Sequence, residues 1–186
     1  MRILRFSFIA FLLIFFLATV FESNLHRFKS TIELDDALKN ELLNLGTKAL
    51  ASGDVPVGAV LMYNGNVIGR GYNTVYQDST ASGHAEINAI NRAMKSLGPV
   101  NFTKLDRRNL ILVTTYEPCE MCMGTLQHYN IRQVHYLKGK TLTMKLKEQL
   151  KSFYYQISKR KTSGSSLQDS LFHLHPDYPL KQKATP

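Results

Sequence analysis

The chain has 186 residues, the length of one domain or of one domain with appendages. Apolar residues make up 44% and charged residues 20%, close to the globular average, which excludes wholesale disorder. Two cysteines are too few for a disulfide-rich secreted scaffold. The 23 Lys and Arg exceed the 14 Asp and Glu, for a formal charge of +9. This charge permits nucleic acid, anionic lipid or phosphorylated substrates as partners without choosing among them.

Residues 1–24 are predicted to be a hydrophobic anchor or signal segment. Arg2 and Arg5 precede the run 6–21, whose only polar members are Ser7 and Thr19. A membrane-spanning helix needs about 20 apolar residues, so this run is at the border between a signal core and a short anchor. No small-x-small cleavage site follows it. The sequence therefore favours an uncleaved anchor and a membrane-associated protein, with an exported or a cytoplasmic protein as the alternatives.

The core, at residues 30–137, is predicted to alternate between helices and strands. Ser30 and Glu33 have the form of a capping box, and Asn64-Gly65 is typical of a type I′ hairpin turn. The predicted elements are a helix from Ser30 that stops before Gly53, strands 57–63 and 66–72, a helix at about 84–95, a strand at 109–115, a helix at about 119–130 and a strand at 131–137. This order predicts an α/β fold, a three-layer α/β/α sandwich with helices on both faces of a mixed central sheet.

The positive charge is concentrated after the core. Residues 138–186 carry 10 Lys and Arg and 3 Asp and Glu, whereas residues 1–137 carry 13 and 11. Residues 138–161 are predicted to form a basic C-terminal helix, and residues 162–186 a linker and tail. Three roles for this charge are ranked in order: a solvated helix face, contact with an anionic membrane surface, and contact with RNA.

The two cysteines lie three residues apart in Pro118-Cys119-Glu120-Met121-Cys122, so on a helix both sulfurs share one face. Such a pair by itself is compatible with a redox pair or disulfide, half of a structural zinc site, or two core cysteines. A structural zinc site would take a fourth ligand, for which His128, His135, His173 and His175 are available.

His84-Ala85-Glu86 is at the predicted start of another helix. One imidazole and two thiolates leave the fourth tetrahedral position of zinc for water, as a catalytic site requires. The positive ends of the two helices would stabilise the thiolates. Glu86, two residues after the histidine, could reach the water on the metal without coordinating the metal itself, and a structural zinc site has no use for it.

The segment H-A-E…P-C-E-M-C resembles the zinc deaminase signature H-x-E…P-C-x-x-C. Its flanks resemble the cytidine deaminase-like branch that holds tRNA adenosine, guanine and cytosine deaminases. The matching flanks are Pro56 to Val60, Val67 to Gly69, Tyr72-Asn73 and Glu117-Pro118-Cys119. The resemblance covers residues 30–137, roughly, and is more specific for the family than for the substrate.

This resemblance implies zinc-dependent hydrolytic deamination of a nucleobase or nucleoside, of the guanine, adenine or cytosine type. One zinc per chain would be bound by His84, Cys119 and Cys122, and would lower the pKa of its water towards about 7. The resulting hydroxide would attack the carbon that bears the amino group, with Glu86 as proton shuttle. Asn73 would hydrogen-bond the base, its alternative role being a turn asparagine bonded to its own backbone. The resemblance also implies a homodimer whose chains complete each other's pocket.

Three departures from the tRNA adenosine deaminases favour a small substrate, a free base or nucleoside. The loop Asp78–Gly83 lacks a proline and is longer by two residues than the run common in those relatives. The chain after Leu137 does not resemble their C-terminal helix, and an N-terminal hydrophobic run is unexpected for an enzyme of cytoplasmic tRNA. A tRNA-specific adenosine-to-inosine deaminase is the alternative, and a non-catalytic structural zinc protein the second alternative.

Overall fold

The computed structural model describes residues 34–159, which divide between two compact units. The elements of the first unit, residues 34–141, are α1 (Asp36–Ala51), β1 (Gly58–Tyr63), β2 (Asn66–Tyr72), α2 (Ala85–Leu97), α3 (Pro99–Lys104), a 3-10 turn (Arg107–Asn109), β3 (Leu110–Tyr116), α4 (Glu120–His128) and β4 (Gln133–Lys138). The second unit contains α5 (Leu142–Ser158). All the predicted strands and helices are present, whereas α3 and the 3-10 turn were not predicted.

Helix α1 begins later than the sequence pattern predicts. Its N-cap is Asp35, whose carboxylate accepts a hydrogen bond from the Leu38 N–H at 2.7 Å, and Leu34 is not helical. The prediction of Ser30 as the cap of this helix was therefore wrong. Aspartate caps a helix as well as serine does, and its charge also complements the positive end of the helix dipole. Ser30 and Glu33 lie outside the described residues.

The four strands form one mixed sheet in the order β2-β1-β3-β4. Strand β1 is antiparallel to both β2 and β3, and β3 is parallel to β4. The turn between β1 and β2 is the predicted one, because Asn64 and Gly65 have φ angles of 50° and 80°, as a type I′ turn requires. The parallel pair needs a crossover connection, and α4 lies in that connection.

Side chains of successive strand residues pack on opposite faces of this sheet. Val60 and Val113 pack in a cluster with leucines of α1. Their neighbours Leu61 and Leu112 pack in a second cluster with side chains of α2, α3 and α4. Because apolar helix faces cover both sides of the sheet, the predicted three-layer α/β/α architecture is confirmed.

Helix α2 lies unusually close to β2. A Cβ atom added to Gly71 would be 1.9 Å from the carbonyl oxygen of Ala85, and one added to Gly69 would be 2.2 Å from that of Ala89. The α2 residues on this face, Ala85, Ala89 and Ala93, are fully buried. Glycine on the strand and alanine on the helix therefore let the two backbones pack almost directly against each other, which sets the position of the first turn of α2.

Helix α5 lies within the range 138–161 predicted to be helical. None of its residues is buried, and each of its large apolar side chains is at least 43% exposed. No helix within residues 34–159 combines the length and the apolar character needed to cross a membrane. The predicted anchor at residues 1–24 and the predicted linker and tail at 162–186 lie outside the described residues.

We expect Gly71→Ala to reduce the free energy of unfolding by about 1–3 kcal/mol, because the added methyl group forces α2 away from the sheet. Urea denaturation followed by circular dichroism measures the change. The matched control is Gly124→Ala in α4, where an added Cβ meets nothing within 4 Å. This control should be unchanged or more stable by about 0.5–1 kcal/mol, since alanine is the better helix former. Equal stability of Gly71→Ala and wild type would contradict the close packing.

Candidate metal centre

Two helix N-termini meet at the predicted site. His84 is the N-cap residue of α2, Cys119 is the N-cap residue of α4, and Cys122 lies in the first turn of α4. Neither cap residue uses its side chain to bond the first turn of its own helix. The imidazole and the thiol are therefore available to a shared ligand, at the ends of two helices where the dipoles favour negative charge.

The three donor atoms are separated by distances that suit one zinc ion. Nδ1 of His84 is 3.5 Å from Sγ of Cys119 and 3.5 Å from Sγ of Cys122, and the two sulfurs are 3.6 Å apart. Tetrahedral zinc, with bonds of about 2.3 Å to sulfur and about 2.0 Å to nitrogen, holds its ligand atoms about 3.5–3.8 Å apart. His84, Cys119 and Cys122 thus form a candidate zinc site, and the two thiols are not joined in a disulfide.

The two thiols differ in acidity because they share a hydrogen bond. This bond lowers the pKa of Cys119 to about 5, against the opposing effect of its partial burial. The same bond raises the pKa of Cys122, and burial acts in the same direction. The shared hydrogen bond therefore favours the thiolate form of Cys119. Coordination of a cation by Cys119 and Cys122 would require both sulfurs to be deprotonated, since the thiolate is the form that binds metals.

Glu86 lies beside the three donor atoms and is not one of them. The residue is only 4% exposed, and its Oε2 accepts a hydrogen bond from the Cys122 thiol at 3.4 Å. Burial is the main cause that raises the pKa of this carboxyl, and the charge of Cys119 adds to it. The carboxylate therefore lies next to the candidate ligand Cys122, and its predicted role as proton shuttle stays a prediction.

Asn73 is buried at the end of β2, and its side chain contacts the metal-binding helix. Its Oδ1 accepts a hydrogen bond from the backbone N–H of Ala85 at 2.9 Å, which satisfies one of the unpaired donors at the start of α2. This structural role differs from the expected bond to its own turn. The side-chain NH₂ group makes no hydrogen bond within the described part of the chain, so the predicted contact with a base stays a prediction.

Three polar side chains that support the site were missed or left without a role by the sequence analysis. Asp54 and Asn88 bond the loop between Asn73 and His84. Glu117, in the segment before Cys119, accepts a hydrogen bond from the Lys140 N–H at 2.8 Å, which ties that segment to the chain after β4. Of these three, only Glu117 had a sequence signal, since it is part of the segment Glu117-Pro118-Cys119 that resembles the deaminase motif. Asp54 and Asn88 are single polar residues outside any motif or periodic pattern, so there was no reason in the sequence to select them.

The described residues offer no fourth protein ligand. Within residues 34–159, His84, Cys119 and Cys122 form the sole group of three or more potential ligands that converges on one point, and neither His128 nor His135 belongs to it. His173 and His175 lie outside the described residues. A three-ligand site leaves one tetrahedral position open, as catalytic zinc sites do.

The sequence of this chain matches a model of a known protein family. A model of the family described as the cytidine and deoxycytidylate deaminase zinc-binding region matches residues 32–138. The chain belongs to this family. The matched region contains the proposed metal ligands, Glu86 and Asn73, so the sequence resemblance to the zinc deaminases is confirmed.

Curated relatives include tRNA-specific adenosine deaminases. The chain is 38% identical over 103 residues to the tRNA-specific adenosine deaminase of Haemophilus influenzae, covering 55% of this chain and 57% of that protein. It is 34% identical over 98 residues to the tRNA-specific adenosine deaminase 2 of Xenopus tropicalis, covering 52% and 58%. The chain therefore spans less than two thirds of the length of these relatives.

A solved structure of guanine deaminase from Bacillus subtilis is similar to this fold. The TM-score is 0.53 at 28% sequence identity, and the similarity covers 70% of this chain and 81% of that chain. This agreement supports the cytidine deaminase-like arrangement of sheet and helices.

We expect His84→Ala and Cys119→Ser to lose zinc, because each removes one of three ligands, whereas Glu86→Gln should keep one zinc per chain. Inductively coupled plasma mass spectrometry measures the metal, and thiol titration before and after chelation measures protection of the two sulfurs. His128→Ala, at the other end of α4, is the control and should bind zinc like the wild type. Full zinc content in Cys119→Ser would refute the ligand assignment.

Proposed function

We propose that this chain catalyses the hydrolytic deamination of a nucleobase or nucleoside, in which a carbonyl oxygen replaces an amino group and ammonia is released. The observation that carries the proposal is the placement of a buried carboxylate, Glu86, against three converging zinc donors. An open metal position next to a proton carrier is what hydrolysis requires. A purely structural zinc site would gain nothing from an additional buried carboxylate, because burying it costs free energy.

Zinc held by His84, Cys119 and Cys122 would supply a water nucleophile that is activated at neutral pH. Glu86 would then move the protons. Its carboxylate accepts one proton from the attacking water, delivers it to the ring nitrogen next to the reacting carbon, and carries the second proton to the departing amino group. One water is consumed and one ammonia is released. Such general acid–base help typically contributes about 10²–10⁴-fold to the rate.

Asn73 would recognise the base by donating a hydrogen bond from its side-chain NH₂ group. Because its Oδ1 is engaged by the Ala85 N–H, the side-chain NH₂ group is the part left for a ligand. Asn73 would therefore donate a hydrogen bond to a carbonyl oxygen or an unprotonated ring nitrogen of the base. Its position next to α2 would orient the base relative to the metal ligand His84.

For the substrate we propose a free base or nucleoside of the guanine, adenine or cytosine type. The longer loop before His84 and the different chain after Leu137 support a pocket that does not grip an anticodon loop. The similarity to guanine deaminase over 70% of this chain is consistent with a small substrate. The second candidate is adenosine in tRNA, which is supported by 38% and 34% identity to two tRNA-specific adenosine deaminases.

The homodimer with shared pockets stays a prediction. Membrane association through residues 1–24 also stays a prediction. The first is implied by the family resemblance, and the second by the hydrophobic run at residues 6–21. Contact of the basic C-terminal region with an anionic membrane or with RNA is a prediction as well.

The decisive experiment is a substrate panel with the full chain loaded with zinc. We expect ammonia release from at least one of adenine, guanine, cytosine and their nucleosides, and slower conversion of an adenosine-containing anticodon stem-loop. Glu86→Gln is the matched control and should turn over about 10²–10⁴-fold more slowly at unchanged zinc content. Faster conversion of the stem-loop would favour the tRNA candidate. Absence of turnover on every substrate, with one zinc bound, would refute deamination.

We expect Asn73→Asp to raise KM about tenfold or more while zinc content and stability stay close to those of the wild type. The aspartate keeps an oxygen acceptor for the Ala85 N–H and loses the donor for the base. Asn73→Ala removes the acceptor too, so it should lose about 1 kcal/mol of stability in addition. Steady-state kinetics and urea denaturation separate these effects. A wild-type KM in Asn73→Asp would exclude Asn73 from base recognition.

A further inference from the structure

The loop of residues 74–83 joins the proposed base-binding residue to the first metal ligand. Asn73 precedes this loop and His84 follows it. The two ends of the loop meet, because the Thr74 N–H donates a hydrogen bond to the Gly83 carbonyl oxygen at 2.7 Å. The 74–83 loop is therefore closed at its base, next to both the proposed base-binding residue and the metal ligand.

Asp54 holds the outer part of this loop. Its carboxylate is buried and accepts hydrogen bonds from the backbone N–H groups of Tyr76 at 2.8 Å and Gln77 at 3.2 Å. The Ser52 hydroxyl donates a third bond at 2.9 Å. Burial works to raise the pKa of Asp54, but these donors together lower the pKa below its ordinary value, so the carboxylate is charged at neutral pH.

The same aspartate is joined to α1, on the opposite face of the sheet from α2. Its backbone N–H donates to the Ala49 carbonyl oxygen at 2.9 Å, and Ser52 is the C-cap residue of α1. Asp54 therefore connects the 74–83 loop to the helical layer that does not carry the metal ligands. The loop is thereby fixed to a part of the fold that is independent of the metal.

Asn88 holds the two ends of the loop from the side of α2. Its Nδ2 donates to the Tyr72 carbonyl oxygen at 2.9 Å, to the Thr74 hydroxyl at 2.9 Å and to the Gly83 carbonyl oxygen at 3.4 Å. The backbone N–H of Asn88 also bonds the carbonyl oxygen of His84 at 2.9 Å. One side chain thus joins the end of β2, both ends of the loop and the helix that carries His84.

We propose that Asp54 and Asn88 are positioning residues for substrate recognition, because together they hold in one conformation the 74–83 loop, which joins Asn73 to the metal ligand His84. The assignment rests on the proposed function, in which Asn73 contacts the base and the metal lies beside the reacting carbon. A protein that adopts its binding-competent conformation only part of the time binds its ligand with an affinity that is lower by the same fraction. Asp54 and Asn88 thus hold the ten residues of the 74–83 loop independently of each other.

Asp54→Asn tests this assignment with little change in volume. The new NH₂ group faces donors, so at least one of the three bonds is lost. We expect faster hydrogen exchange at residues 75–83, unchanged zinc content, and a KM that rises about tenfold with kcat within about threefold. A tenfold rise in KM is expected when the loop adopts the conformation that binds substrate only about a tenth of the time.

The matched control is Asp106→Asn. Asp106 also accepts a backbone N–H, that of Arg108 at 3.0 Å, but it caps the 3-10 turn before β3. Its substitution should leave KM and the exchange of residues 75–83 at wild-type values. If Asp54→Asn folds poorly, Asn88→Ser is the second test, because it removes the amide donors that bond the loop. We expect the same rise in KM for this variant.

Four results would overturn the assignment. Unchanged exchange at residues 75–83 in Asp54→Asn would show that the aspartate does not hold the loop. Faster exchange at unchanged KM, in Asp54→Asn or in Asn88→Ser, would show that the loop is structural only. A wild type that binds zinc but deaminates nothing would refute the proposed function and the assignment that rests on it. An active wild type with variants of unchanged KM would refute the assignment alone.

Discussion

The close approach of α2 to β2 is the constraint on which the candidate site depends. Gly69 and Gly71 leave no side chain between strand and helix, and the facing alanines of α2 are fully buried. Such a contact has almost no freedom to slide or tilt, since any displacement creates a void or a clash. The first turn of α2, with His84 at its cap and Glu86 inside it, is therefore positioned by backbone packing rather than by flexible side chains.

The chemistry of the site follows from what is buried there. Two sulfurs and a carboxylate lie together in a region largely shielded from water, where uncompensated negative charge is costly. The two helix N-termini offset part of this cost, and a divalent cation would offset most of the rest. The metal and the fold are thus coupled. Glu86 differs from the thiols because it is not one of the three converging donors, which would leave its carboxylate able to exchange protons in the proposed reaction.

Much of the architecture could be predicted because local patterns report local structure. The Asn64-Gly65 turn adopts the positive φ angles that its residue types favour, and α5 lies within the range 138–161 that was predicted to be helical. Prediction failed where two residues were equally suitable as a helix cap, and where an element was too short to show a periodic pattern. Ser30 and Asp35 are comparable caps, and helix α3 has six residues, too few for a periodic pattern.

The sequence by itself determined which residue types are available for the candidate metal site. The residue types and spacings of His84, Cys119 and Cys122 indicate a zinc site with three protein ligands, and the resemblance to the zinc deaminase signature implies the role of Glu86. Only the tertiary structure decided how these groups meet, that Asn73 bonds the start of α2, and that Asp54 and Asn88 hold the loop between them. The physical reason is range: propensity and capping act within a few residues, whereas distances between segments remote in the chain are set by packing across the sheet.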